Sequence, residues 1–138
     1  MSQIVFIHGP GAGSCSAGFH YQLKHFPGSL APDLPGHPEG ESLATVSEYT
    51  DWLRGWLHGQ GHDKDLLLAC FTLGACVALQ YALDYPGEVA GLLLMTIAMR
   101  PKERAPGSLE FRLDAAKDAQ VHEEWLDAMR HTMMFIEP

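Results

Sequence analysis

The chain has 138 residues, 46% of them hydrophobic and 19% charged, and its formal net charge at pH 7 is -8. Such a chain is long enough for one domain with a substantial core, and its composition is typical of a globular protein. The negative charge argues against nucleic acid or an anionic membrane as a partner, because phosphate groups bind clustered Lys and Arg. Three cysteines without C-x-x-C spacing predict neither a disulfide framework nor a zinc site, and no metal or cofactor is expected.

Four apolar segments predict strands. Residues 4–7, the run that begins at Leu66, and residues 89–95 are apolar without interruption, which is typical of strands buried on both faces in a parallel sheet. Residues 29–32 predict a weaker strand. With helices between them, these segments predict a three-layer α/β sandwich around a mainly parallel sheet of about four strands.

Two helices are expected before the second long apolar run. The first covers about residues 17–26. The second carries apolar residues at helical spacing, is capped by Thr45 or Ser47, and is ended by Gly59 and Gly61.

The sequence changes character after residue 99. Residues 100–107 are charged and rich in proline, as in a linker, and helices are expected near residues 109–117 and 121–134. We therefore expect two parts, residues 1–99 and residues 100–138. The apolar stripe of the last helix consists of Val121, Trp125, Met129 and Met133.

No apolar run approaches the length of a transmembrane helix. The first residues also lack the basic region and the long apolar region of a signal peptide. A cytoplasmic protein is the expectation.

The segment at residues 66–86 is the most informative one. Its apolar run reaches a tight turn at Thr72, and the helix that follows closes at Tyr85-Pro86. This is the layout of a nucleophile elbow, in which the side chain at the turn stands above the end of a parallel strand.

Four motifs together resemble the α/β-hydrolase family, specifically the N-terminal half of an esterase-like member. They are the strand ending at His8-Gly9 with its Gly-rich loop, the loop at residues 33–37, the elbow at residues 70–74, and the helix ending at residues 81–86 before the next strand. The resemblance covers residues 4–99 and implies a truncated hydrolase core followed by cap-like helices. It also implies acyl transfer by a Ser-Asp-His triad on an ester substrate.

The resemblance assigns roles to individual residues. Thr72 takes the nucleophile position, and the N–H of Leu73 is one oxyanion donor. Gly11 is the candidate for the second donor. His8 and Gly9 support the loop, His8 by hydrogen bonding.

Several residues depart from the family pattern. A β-branched Thr72 tolerates a strained turn poorly, and Pro10 has no N–H to offer an oxyanion. Cys70 replaces the first glycine of the elbow. The family's acid and base would follow the cap, after Pro138. The sequence therefore predicts incomplete catalytic machinery, in an inactive domain or a fragment that is part of an assembly. The alternative is a weak esterase of small esters that uses Thr72 with a base from elsewhere in the chain or from a partner.

Two other kinds of site have weaker support. Residues 9–14 and a later Asp33 partly fit a dinucleotide site, but Ser14 stands where the third glycine is needed. His58 and His62 have the spacing of a metal pair on a helix. Because glycines interrupt that helix, exposed loop histidines are predicted instead.

The remaining histidines and cysteines are not expected to take part in catalysis. His37 is expected to be a loop residue, and Cys70 and Cys76 to be buried and unreactive. Self-association through an open sheet edge and the cap helices is expected, because a truncated sheet leaves an edge strand unpaired. Histidines expected at the surface are His20, His25, His122 and His131.

Overall fold

A computed structural model describes residues 1–10 and 14–97. Within these ranges the strands are β1 (Gln3–Ile7), β2 (Leu66–Phe71) and β3 (Val89–Met95). The α-helices are α1 (His20–His25), α2 (Val46–Gly59) and α3 (Leu73–Asp84), and a short 3-10 turn at Ser16–Phe19 precedes α1. Gly11, the boundary at residue 99, and the helices and histidines expected beyond it lie outside the described residues.

The sheet is parallel, with β2 between β1 and β3. This confirms the predicted α/β architecture, with three strands in place of about four. The segment at residues 29–32 forms only an isolated bridge, in which the N–H of Phe6 donates to the Leu30 carbonyl over 2.8 Å. Pro32 follows two residues later and has no N–H, so the ladder does not extend in that direction.

Helices α2 and α3 pack against each other, and α3 packs against the sheet. The core between them contains Leu66, Leu68 and Cys70 of β2, all buried. Alternate residues point to the opposite face, where Leu67 is 36% exposed. The face of the sheet that carries Leu67 is therefore more exposed to solvent than the face packed against α3.

The expectation that β3 is buried on both faces is wrong. Leu93 and Met95 are 58% and 41% exposed. Both side chains lie on the same face of the sheet as Leu67, which α2 and α3 do not cover, and within the described ranges β3 is also an edge strand with β2 as its neighbour. The apolar composition of a strand alone does not show whether other elements cover both of its faces.

Thr45, and not Ser47, is the N-cap of α2. Its side chain accepts a hydrogen bond from the Glu48 N–H at 3.2 Å, and the Glu48 carboxylate accepts one from the Thr45 N–H at 2.9 Å. This is a capping box, which satisfies two N–H groups at the start of the helix. No helix of the described residues has the length and apolarity that crossing a membrane requires.

The far ends of α2 and α3 are joined to the start of β3 by the Glu88 carboxylate. It accepts hydrogen bonds from Arg54 at 2.7 Å, from the Tyr81 hydroxyl at 2.6 Å and from His58 Nε2 at 3.0 Å. His58 is half-buried and belongs to the last turn of α2, so the prediction of an exposed loop histidine is wrong for this residue. The prediction failed because its partner is 30 residues away in the sequence.

Candidate active site

Thr72 lies in the turn between β2 and α3. Its backbone has φ 50° and ψ -115°, a conformation that a β-branched residue rarely adopts. The Thr72 N–H donates to the Met95 carbonyl at 3.0 Å, and the Thr72 carbonyl accepts from the Cys76 N–H at 3.1 Å. The sheet and the helix thus hold the residue in a strained conformation, at a cost of roughly 1–3 kcal/mol.

Two glycines allow the turn to sit close to the end of β1. A Cβ atom on Gly74 would lie 2.6 Å from the His8 carbonyl oxygen and even nearer to that of Ile7. A Cβ atom on Gly9 would overlap the Thr72 hydroxyl oxygen. The absence of a side chain at both positions therefore allows β1, β2 and α3 to approach one another this closely.

The Thr72 hydroxyl oxygen is shielded from solvent and has no hydrogen-bond partner within the described ranges. A buried hydroxyl without a partner costs about 1–3 kcal/mol. A nucleophilic hydroxyl needs a base within about 2.6–3.2 Å. Neither a histidine nor a carboxylate of residues 1–10 and 14–97 hydrogen-bonds to this oxygen.

Of the two predicted oxyanion donors, the structure describes one. Leu73 is the first residue of α3, so its N–H has no carbonyl of the same helix to bind. It lies at the positive end of the helix dipole, where an anion is favoured. The Gly11 prediction falls outside the described residues.

His8 is buried at the end of β1, with both ring nitrogens occupied. Nδ1 lies 2.7 Å from the Gly9 carbonyl, to which it donates, and Nε2 accepts the Leu34 N–H at 3.0 Å. Burial lowers the pKa of His8, and the nearby His37 ring adds to this effect. Both nitrogens of the neutral His8 ring are therefore in use. The ring connects the loop after β1 with the loop that contains Leu34, and it is not available as a base.

The other candidates also take part in local structure. The Asp33 carboxylate accepts the Ser16 N–H at 2.6 Å, so this oxygen is occupied within the loop region. His37 Nδ1 lies 3.1 Å from the Pro35 carbonyl. Within the described ranges, no three His, Cys, Asp or Glu side chains form a group that could hold a metal ion.

The predicted burial is confirmed for Cys70 and wrong for Cys76. Cys70 is fully buried, and burial raises the pKa of its thiol, which disfavours the reactive thiolate. Cys76 is half-buried on α3. Neither cysteine occupies the turn.

We expect Thr72→Gly to raise the free energy of unfolding by about 1 kcal/mol, because glycine adopts this backbone without strain and removes the buried hydroxyl. Urea unfolding at pH 7 measures the change. Thr72→Ser keeps both the strained Cβ and the hydroxyl, so it is the matched control and should gain less. A lower stability for Thr72→Gly than for the wild type would contradict the assigned strain.

Three solved structures are similar to this chain in fold. An esterase from Thermogutta terrifontis with bound malate has 24% identity and a TM-score of 0.66, covering 85% of this chain and 44% of that chain. The 2-hydroxy-6-oxo-6-phenylhexa-2,4-dienoate hydrolase of Rhodococcus sp. strain RHA1 has 23% identity and a TM-score of 0.62, covering 85% and 46%. A loop variant of a haloalkane dehalogenase from Bradyrhizobium elkanii has 18% identity and a TM-score of 0.57, covering 84% and 42%.

The chain spans less than half the length of these three structures. No curated protein matches it. The profile of the Alpha/beta hydrolase family matches residues 4–137, which is nearly the whole sequence. Together with the parallel sheet and the turn at Thr72, this match shows that the chain belongs to the α/β-hydrolase family.

Proposed function

We propose that this chain is an α/β-hydrolase domain that does not hydrolyse esters by itself and that it serves in binding or assembly. The observation that carries the proposal is the Thr72 hydroxyl. It occupies the nucleophile position of a strand–turn–helix unit, yet it is shielded from solvent and unpartnered within the described ranges.

The chemistry of acyl transfer explains why this matters. The nucleophilic oxygen has to reach the acyl carbon while a base removes its proton. Here Gly9 lies directly against the hydroxyl, and the buried His8 already uses both ring nitrogens. We interpret the turn as a nucleophile elbow that keeps the family's backbone geometry without its chemistry.

A specific observation favours a second candidate, a weak esterase that acts on small esters through Thr72. The backbone of Thr72 retains the strained conformation expected at such a turn, and the Leu73 N–H lies beside it at the start of α3. One of the similar structures is an esterase. In this case the base comes from elsewhere in the chain or from a partner.

Hydrolysis of a short activated aryl ester tests the proposal. We expect the wild-type chain and Thr72→Ala to give the same background rate over a series of protein concentrations. Turnover that vanishes in Thr72→Ala would contradict the proposal and support the esterase.

Thr72→Ser makes the test sharper. We expect it to stay at background as well, because serine removes one methyl group but supplies no base to take the proton from the hydroxyl. A gain of turnover in Thr72→Ser would show that a base is in place and would contradict this part of the proposal. Thermal unfolding of each variant confirms that it is folded.

The location in the cell is also part of the proposal. Cys15, Cys70 and Cys76 are free thiols. Free thiols are usual in the reducing cytosol, where disulfides are rare. We place the protein in the cytoplasm on this basis.

A further inference from the structure

A buried hydrogen bond joins His8, the residue after β1, to a loop far along the chain. The His8 Nε2 atom accepts the Leu34 N–H at 3.0 Å, across 26 positions of sequence. The two residues are 1% and 0% exposed. The loop around Leu34, residues 33–37, is named the Leu34 segment. Because a buried N–H that loses its partner is costly, this hydrogen bond stabilises the segment against the end of β1.

The hydrogen bond depends on the protonation state of the His8 ring. The neutral ring has its proton on Nδ1, which donates to the Gly9 carbonyl at 2.7 Å, so Nε2 is the acceptor. A second proton would bind at Nε2, and both ring nitrogens would then be donors. The hydrogen bond to the Leu34 N–H would be replaced by a contact between two donors.

Two titratable groups of the Leu34 segment act on the His8 ring. The His37 ring lies edge-on to it, with 5.4 Å between the ring centroids, and Asp33 contributes a carboxylate. Burial has the largest effect on the pKa of His8 and lowers it, and His37 acts in the same direction. The hydrogen bond to Gly9 and the Asp33 charge oppose this shift without cancelling it. The neutral ring is therefore the favoured form in the folded protein.

The other elements packed against β1 are the 3-10 turn, β2 and α3. The residues of the 3-10 turn, of β2 and of the first turn of α3 include no carboxylate, lysine, arginine or histidine. The Cys70 thiol of β2 stays protonated, because burial raises its pKa. The charge on His8 therefore depends on its own burial and on the Leu34 segment.

We propose that the contact between His8 and Leu34 is a pH-sensitive switch, which opens when a proton from solvent binds at Nε2. The open state leaves the Leu34 N–H without its partner and brings the His8 ring into water. The change takes place beside Thr72, since Gly9 lies directly against the Thr72 hydroxyl. It goes beyond the proposed function, because it does not depend on whether Thr72 reacts.

Other contacts of the Leu34 segment keep the opening local. The Asp33 carboxylate accepts the Ser16 N–H at 2.6 Å, and the Tyr49 hydroxyl donates to the Pro35 carbonyl at 3.0 Å. These contacts do not involve the imidazole ring, so they remain when its hydrogen bond is lost. We therefore expect local opening and not unfolding of the domain.

The direction of the pH dependence follows from the two states. In the closed state the pKa of His8 lies below 6.5, and in the open state the ring in water has this ordinary value. Above pH 6.5 the ring is neutral in both states, so the closed state keeps its full advantage. At lower pH the open state binds the proton more readily. Its population then rises by up to about tenfold per pH unit, until the pH reaches the closed-state value.

Hydrogen exchange of the Leu34 amide tests the switch. Its protection factor, which corrects for the intrinsic effect of pH on exchange, measures the closed state against the open one. We expect this factor to fall by up to about tenfold from about pH 7.5 to about pH 5.5. A factor that stays constant would overturn the proposal. Leu34 should also be less protected than Leu68 of β2, and equal protection would contradict local opening.

His8→Gln is the decisive variant, because its amide oxygen can accept the Leu34 N–H but does not titrate. We expect Leu34 protection in this variant to be independent of pH over the same range, and a fall as large as in the wild type would overturn the proposal. His37→Gln should retain the fall, and its loss there would assign the switch to His37 and overturn the role of His8. His20→Gln, at an exposed position of α1, is the matched control and should behave as the wild type does.

Nitrogen NMR of the wild-type His8 ring gives a readout that does not depend on how the variants fold. At about pH 7.5 we expect a proton on Nδ1 and none on Nε2. The titration midpoint is expected below 6.5. A proton on Nε2 at neutral pH, or a midpoint at the ordinary value or above, would overturn the proposal. Ester turnover would contradict the proposed function and leave these results unchanged.

Discussion

Gly74→Ala is expected to lower the free energy of unfolding by about 3 kcal/mol. The added methyl group would meet the carbonyl oxygens of Ile7 and His8, the second at 2.6 Å. Both are backbone atoms at the end of β1, so neither can rotate away as a side-chain tip would. Relief requires α3 to move away from the sheet, and that movement weakens the core packing around Ala75 and Ala78.

Gly55→Ala is the matched control for this substitution. Gly55 is also a helical glycine, but nothing lies within 4 Å of the position that its Cβ atom would take. Alanine there should raise stability by about 0.5–1 kcal/mol through helix propensity. Urea unfolding of both variants measures the difference. A Gly74→Ala variant as stable as the wild type would show that the helix does not approach β1 this closely.

Glu88→Gln is the second substitution with a large expected effect, a loss of about 2–3 kcal/mol. The Glu88 side chain is 16% exposed and accepts hydrogen bonds from Arg54, His58 and Tyr81. A neutral amide keeps the shape of the side chain but loses the charge, and its NH₂ group cannot accept. The loss would weaken the connection between α2, α3 and the start of β3.

The effect of Glu88→Gln depends on pH in a defined direction. Burial acts to raise the pKa of Glu88, but the hydrogen bonds from Arg54, Tyr81 and His58 outweigh it and lower the pKa from 4.5 to about 2. A lowered pKa stabilises the folded state above the unfolded value and ceases to do so as the pH falls toward the folded value. The stability difference between wild type and Glu88→Gln should therefore be full at pH 7 and shrink between about pH 5 and pH 2.

Urea unfolding of both proteins at several pH values measures this convergence. Glu41→Gln is the matched control, since Glu41 is exposed and removal of its charge should change stability by less than about 0.5 kcal/mol. A difference between wild type and Glu88→Gln that stays constant as the pH falls would contradict the role of the carboxylate charge.

Membership in the α/β-hydrolase family leaves the reaction open. The similar structures include an esterase and a haloalkane dehalogenase. One fold supports different reactions because the chemistry depends on the side chains of the site. In this chain Thr72 has a strained backbone conformation, and its hydroxyl is buried. The Thr72 variants therefore inform on activity more directly than the fold does.

The sequence by itself determined the local elements. Uninterrupted apolar runs predicted β1 and β2, and the small residues around Gly74 predicted a tight turn from strand to helix at Thr72. The sequence offers Thr45 and Ser47 as N-cap residues of α2, and Thr45 is the one that caps the helix. These features depend on neighbours within a few positions, which is why periodicity and capping preferences reveal them.

Only the tertiary structure decided what those elements expose and bind. The apolar composition of β3 predicted burial, yet β3 lies at an edge of the described sheet and Leu93 is 58% exposed. Glu88 binds Arg54, 34 positions earlier in the sequence, and the burial of the Thr72 hydroxyl depends on Gly9 at the end of β1. Burial and hydrogen bonding are properties of the space around a side chain. That space is filled by residues distant in the sequence, so local patterns do not predict it.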